Sequence, residues 1–263
     1  MAGTVTIPTV SSQAPEILET ARRWWANAAT YEGPVRATRR FMATLWEFLR
    51  DSTPSRLRSR YGDADYDWEH RVDTTSAGVG WRDRLIGSFH SAYQPTDPAE
   101  FREMLNALAE HTHLNFPEFT FLDLGSGKGR TLLMASEYPF RRIVGVELLP
   151  ALHQIAQENL RTYKNESRQC FAIEPICADA TTFHLPDEPL VVYLFNPFGE
   201  SGLRRFMANV EETQQTSPRP LYLLYLNPLL EHVLAGSASL RKIAGTHQYS
   251  VWKSVLGEVS RKK

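Results

Sequence analysis

The sequence predicts an α/β fold: a parallel sheet covered by helices on both faces, with a helical extension in front of it. Three observations predict it. From Phe119 onward, short apolar runs alternate with stretches of helical period, the pattern of strands joined by crossover helices. A glycine-rich turn, Gly125-Ser-Gly-Lys-Gly129, separates the first apolar run from the next helical stretch. Two acids, Glu147 and Asp179, follow the second and third runs, at the edge where an open parallel sheet binds its ligands.

Composition bounds the reading. The chain has 263 residues, 29 basic and 30 acidic side chains, and 42% hydrophobic residues. That is enough to bury a core without disulfide or metal staples, and too apolar and too nearly neutral for a wholly disordered chain. The neutrality is uneven. Between Arg22 and Arg60 there are nine arginines against Glu32, Glu47 and Asp51, a net +6. Such an arm suits an anionic partner, although a solvated helical face is the commoner cause. Two cysteines, Cys170 and Cys177, make no disulfide framework. The N-terminal residues do not read as a signal peptide, and no apolar run approaches the ~20 residues of a membrane helix. A soluble, cytoplasmic protein is expected.

The elements follow in order. Residues 1–15, rich in Thr, Ser and Pro, read as a disordered tail. Residues 16–90 read as a helical extension with a lid-like loop. In it, Glu16–Ala29 and Val35–Arg50 place Trp24, Trp25, Phe41, Leu45 and Trp46 at helical spacing. The segment Asp65–Asp73 is polar, aromatic and poorly periodic, and reads as an ordered loop. With Trp81 it is a candidate lid or substrate wall. Its acids Asp65, Asp67, Glu69 and Asp73 suit a cationic amine as well as they suit plain solvation. Pro95–Glu110 reads as a helix, with Asp97 as N-cap and Pro98 in the first turn. Strands are then expected at Phe119–Leu124, Arg142–Leu148, Glu174–Cys177, Leu190–Phe195 and Leu221–Leu226. Helices are expected at Thr131–Glu137, Pro150–Tyr163 and Gly202–Gln215. Arg241–Gly245 and Tyr249–Val255 read as a closing hairpin.

The chemistry concentrates at the strand ends. Glycines after the first strand let the backbone turn sharply and approach a ligand, and the next helix offers free N–H groups. Glu147, eighteen residues beyond Gly129, is placed to accept hydrogen bonds from a ribose diol. Asp179, in Cys177-Ala-Asp-Ala180, is placed to accept from an adenine amine. The fourth strand ends in Asn196-Pro-Phe-Gly199. Each feature alone is as easily turn chemistry or a cap; together they describe one adenosine site. His111 and His113 have no third ligand near them in sequence, so no metal site is expected.

These motifs resemble those of the class I S-adenosylmethionine-dependent methyltransferases, over about residues 91–263. The resemblance rests on Asp123-x-Gly-x-Gly-x-Gly129, Glu147, Asp179 and Asn196-Pro-Phe198. It implies a Rossmann-like sheet of seven strands, the last antiparallel, and S-adenosylmethionine as cofactor. It implies that Asp123, Gly125, Ser126, Gly127 and Gly129 approach the amino-acid part of the cofactor, that Glu147 binds ribose, and that Asp179 with Ala180 lies at adenine. Tyr93-Gln-Pro-Thr96 is similar to a segment of the non-SET protein-lysine methyltransferases that contacts the cofactor, which implies that Tyr93 and Thr96 flank its methionine moiety. Asn196-Pro197-Phe198 resembles the Asn-Pro-Pro-aromatic motif of amino-methylating enzymes without its second proline. By that likeness Asn196 positions an acceptor amine, beside the cofactor, with Pro197 and Phe198 shaping the site. The expected activity is methyl transfer to an amine, a protein lysine among the candidates. The alternatives are a small-molecule N- or O-methyltransferase, and a non-catalytic cofactor-binding protein that docks on nucleic acid through its basic arm. A dehydrogenase fits less well, because its loop is Gly-x-Gly-x-x-Gly.

Overall fold

The computed structural model describes residues 21–26, 28–30, 33–51, 64–75 and 93–255. Residues 1–15 and Trp81 lie outside them. Seven strands form one sheet in the order β3-β2-β1-β4-β5-β7-β6. They are β1 (Thr120–Leu124), β2 (Arg142–Glu147), β3 (Ile173–Cys177), β4 (Leu190–Phe195), β5 (Leu221–Leu226), β6 (Leu240–Gly245) and β7 (Tyr249–Ser254). The first five pair in parallel, and β7 runs antiparallel to both β5 and β6. The expected strands are therefore all present, and the closing hairpin inserts its second strand beside β5.

Helices run in chain order. They are α1 (Pro34–Asp51), α2 (Ala64–His70), α3 (Pro98–Thr112), α4 (Arg130–Ala135), α5 (Pro150–Thr162), α6 (Glu200–Thr216) and α7 (Glu231–Ala235). Residues 21–26 and 28–30 are also helical and pack on α1, with the Trp24 and Phe41 rings 6.1 Å apart. At α3 the Asp97 carboxylate accepts from the Ala99 and Glu100 amides at 2.7 and 3.1 Å, as an N-cap should. Strand side chains alternate between two apolar layers. Phe121, Tyr193 and Leu224 join Phe101, Met104 and Leu108 of α3 on one face. Leu122, Val192 and Leu223 join Phe206, Met207 and Val210 of α6 on the other. The period-2 pattern of the central strands is thus spent on two cores, which is why β1, β4 and β5 read as nearly continuous apolar runs.

One expectation is corrected. Asp65–Asp73 is not a loop, because α2 occupies Ala64–His70. Its short length and acidic composition hide the periodicity, and its stability comes from tertiary bonds. Tyr66 is buried while Trp68 is 88% exposed. Asp67 Oδ2 accepts from the Thr74 and Thr75 amides at 2.7 and 2.9 Å, and its Oδ1 takes the Thr74 hydroxyl. The same Oδ1 meets the Arg130 guanidinium at 3.1 Å. Arg130 also donates from Nε to Thr74 Oγ1 at 2.6 Å and lies over the Tyr66 ring at 4.6 Å. Lys128 Nζ meets Asp73 Oδ1 at 2.6 Å. Asn159 of α5 closes the assembly, accepting from the Asp73 amide and donating to the Asp73 and Lys128 carbonyls at 2.8–2.9 Å. Residues 64–75 are therefore bolted to the glycine loop by charge.

Breaking a buried ion pair by removing one partner is strongly destabilising. Asp67→Ala is expected to cost about 3–5 kcal/mol of stability, read as a lower denaturant midpoint with unchanged slope. Asp67→Asn, which keeps acceptors for the two amides, is expected to recover part of that loss.

Candidate functional site

The chain reverses direction across the sheet between β1 and β4, its neighbour in the order. At such a point an open sheet binds its ligands beyond the carboxyl ends of the strands. The glycine loop leaves β1 and the Asn196–Gly199 turn leaves β4, and the two touch: a Cβ on Gly125 would lie 2.7 Å from Pro197 Cβ.

The loop is held on both sides. The Gly125 and Ser126 amides donate to the Val146 carbonyl at 2.8 and 3.1 Å, and the Gly129 amide donates to the Ser126 carbonyl at 2.8 Å. Gly127 has φ +55°, and the Tyr93 ring fills the space beside it, so a Cβ there would lie 2.3 Å from Tyr93 Cε2. The Tyr93 hydroxyl donates to the Thr74 carbonyl at 2.6 Å. Tyr93 thus bridges the glycine loop and the segment that follows α2. Thr96 is buried, and its hydroxyl lies 2.8 Å from Tyr193 Oη and 3.4 Å from Thr131 Oγ1.

Asp123 and Glu147 sit on neighbouring strands, near their carboxyl ends. Glu147 is nearly buried, and its two oxygens accept from the Gly127 and Leu149 amides, each at 2.8 Å. Burial pushes its carboxyl above the usual range, and those two amides together with Leu148 oppose the shift. Asp123 is fully enclosed, and burial followed by the nearby Glu147 charge raises it well above an ordinary carboxylate. Its Oδ2 is buried without a hydrogen-bond partner. An orphaned carboxylate oxygen at a ligand-binding edge fits a cationic group such as an α-ammonium.

Asp179 is exposed, and its Oδ1 accepts from the amide and hydroxyl of Thr181, both at 2.8 Å. Ala180 behind it is buried in the α6-side core. Asn196 adopts φ +45°, a left-handed conformation that Asn tolerates better than most residues. Its Nδ2 donates to the Asn227 carbonyl at 2.7 Å, and its Oδ1 accepts from the Tyr225 hydroxyl at 2.8 Å. A carbonyl only accepts, so the amide orientation is dictated by chemistry. One lone pair of Oδ1 is left for a further donor. Phe198 packs on Phe206 with the ring centroids 5.9 Å apart.

Sequence reasoning missed four contributors: Lys128, Arg130, Tyr225 and Asn227. Lys128 lies inside the glycine motif and Arg130 directly after it, and their burial depends on counter-ions distant in sequence. Asn227-Pro228 repeats Asn196-Pro197 one strand over, with φ +47° at Asn227, and that echo was legible. Among the described residues no group of three His, Cys, Asp or Glu side chains could hold a metal, and no helix is long and apolar enough to cross a membrane.

A seven-stranded sheet of this order, with a glycine loop after β1 and an acid ending β2, defines the class I methyltransferase fold. Residues 122–196 match the family described as a methyltransferase domain. That match, together with the fold, supports an S-adenosylmethionine-dependent methyltransferase with that compound as cofactor. Solved structures with a similar fold include an RNA methyltransferase from Salinibacter ruber in complex with S-adenosyl-L-homocysteine (19% identity, 62% of this chain and 94% of that one, TM-score 0.42). TrmN from Thermus thermophilus is another (20%, 60% and 49%, TM-score 0.41). The ribosomal protein L11 methylase from Lactobacillus delbrueckii subsp. bulgaricus is a third (12%, 59% and 78%, TM-score 0.41). No curated protein matches the sequence.

The raised carboxyl of Asp123 has a stability consequence. A buried acid raised above its unfolded value favours the folded state most at low pH, and that contribution falls as pH rises through the window between the two values. Asp123→Asn is expected to raise the melting temperature of the cofactor-free protein at neutral pH and to flatten its decline with pH. A melting curve series showing no difference between the two proteins would remove Asp123 as the source.

Proposed function

We propose that the protein transfers the cofactor methyl group to an amine nitrogen presented at Asn196. The observation that carries this is the fixed amide of Asn196, whose Oδ1 keeps one lone pair for an N–H donor after Tyr225 has taken the other. Residues 91–263 form the catalytic unit in this reading, and residues 16–90 supply the wall on the acceptor side.

When bound, S-adenosylmethionine supplies an activated methyl group on a sulfonium with a good leaving group. The chain supplies position. Asp123 Oδ2 receives the cofactor ammonium, a partner for an oxygen that has none. The backbone of Gly125, Ser126, Gly127 and Gly129 lies along the methionine moiety, with Tyr93 and Thr96 behind it. Glu147 turns its remaining lone pairs to the ribose diol, and Asp179 with Ala180 meets adenine. Asn196 Oδ1 would accept an N–H of the neutral acceptor amine and so orient it for methylation, and the proton released from the methylated amine would pass to water. Pro197 and Phe198 shape the wall. Alignment of this kind accounts for most of the acceleration that such a displacement needs.

The acceptor has two readings. For a protein lysine, an acidic wall at α2 is weakened, because Asp67 and Asp73 already meet Arg130 and Lys128. A nucleobase amine is favoured by the Arg40 guanidinium, which lies 3.3 Å from where a Gly199 Cβ would stand, at the end of the Asn196 turn.

Transfer of labelled methyl into fractionated lysate tests the activity, with protein and nucleic-acid fractions counted separately. Asn196→Ala is expected to lower turnover at least tenfold while cofactor affinity, read by calorimetry, stays within about twofold. Tyr225→Phe is expected to reproduce part of that loss, and to add nothing in the Asn196→Ala background. Cofactor affinity itself is expected to rise with pH from the acidic to the neutral range, because Asp123 must ionise to meet an ammonium, and Asp123→Asn abolishes the dependence. Calorimetry in buffers of different ionisation enthalpy would detect the released proton.

A further inference from the structure

The helical residues 21–26 and 28–30 and α1 have no part in the candidate cofactor site, yet Arg40 in the middle of α1 reaches Gly199 beside it. Their apolar side is spent inward. Ala28 and Ala37 are buried, the Trp24 and Phe41 rings pack together, and Trp25 Nε1 donates to Thr38 Oγ1 at 3.1 Å. The outer side is basic. Arg22, Arg36 and Arg39 are exposed, and the described side chains of residues 21–46 include no acid. Arg36, Arg39 and Arg40 lie three and four positions apart, hence on one flank of α1. Arg40 joins this flank to the candidate transfer site, stacked 5.6 Å over the Trp24 ring and reaching Gly199.

Two tryptophans stand among these arginines. Trp46 is 69% exposed and Trp25 37% exposed. Val35 and Met42 are also exposed on α1, seven residues apart, so they lie on nearly the same side of the helix as Trp46. A helix that inserts in a bilayer needs a wide apolar face, and here the exposed stripe of Val35, Met42 and Trp46 is narrow and lies beside Arg39. The outer surface is thus cationic, with exposed tryptophan rings and one narrow apolar stripe. That pairing matches a chain with phosphates for the arginines and unstacked bases for the tryptophan rings.

We propose that this helical pair is a docking surface for single-stranded nucleic acid, which leads an unpaired base past Arg40 to Asn196. The proposal rests on the amine-methylation reading and names the acceptor class for it.

The test uses the full chain and a fluorescent single strand of about 15 nucleotides, as RNA and as DNA. Binding by anisotropy is expected at about 50 mM salt, with affinity falling on a log–log slope of about −2, roughly 0.7 per contacting arginine for three arginines. Replacing Arg22, Arg36 and Arg39 together by Gln is expected to lower affinity at least tenfold and to flatten the slope. Trp46→Ala is expected to lower it about fivefold or more without changing the slope. Cofactor affinity of every variant, measured in parallel, should equal that of the parent. Absence of strand binding at low salt would overturn the proposal, as would equal binding by the arginine variant. Preference for a matched duplex would overturn it too, as would binding to anionic phosphatidylglycerol vesicles in place of the oligonucleotide. In any of those cases intact cofactor binding leaves the amine reading standing. If the parent binds no cofactor but holds the strand as described, the docking surface stands and the methyl-transfer reading fails.

Discussion

The arrangement depends on how two cations inside a glycine loop are neutralised. Lys128 and Arg130 are almost completely buried, and an unpaired charge in such a place is not tolerated. Asp67 and Asp73 supply the counter-charges from a segment more than fifty residues earlier in the chain. Everything near the loop inherits this requirement. The α2 segment must dock for the loop to be stable, Tyr93 must cross between them, and Asn159 ties α5 into the same cluster. The glycine loop is therefore shaped partly by residues outside the sheet that carries it.

Much of the fold was legible in the sequence because its signals are local. Strands buried on both faces read as apolar runs, Asp97-Pro98 marked a helix start, and glycines marked the turn after β1. The hairpin of β6 and β7 was legible for the same reason. What escaped was set by tertiary bonds. The helix α2 has too few residues for a periodic signal, and its acids looked like a solvated or cation-receiving loop when two of them are counter-ions. The short helix α7 was missed on similar grounds.

At the site, residue types were easier to read than their states. Asp123, Glu147 and Asn196 could be placed at strand ends from spacing alone. That Asp123 keeps an unpartnered oxygen while Glu147 spends both of its oxygens on backbone amides depends on which amides the loop presents. That Asn196 has its amide locked depends on Tyr225 and Asn227 in an adjacent strand. The two acids consequently differ in what they can offer a ligand, although a sequence shows them as equals.

The paired strand ends carry one more consequence. Asn196, half-buried, and Asn227, exposed, both sit at positive φ in turns after β4 and β5. Asparagines in such turns commonly age by attack of the next residue's backbone nitrogen on the side-chain amide, which closes a succinimide. Pro197 and Pro228 have no N–H to supply that nucleophile. The prolines that bend the two turns thus also protect the two amides from slow conversion to carboxylates, and keep the rim neutral over the lifetime of the protein.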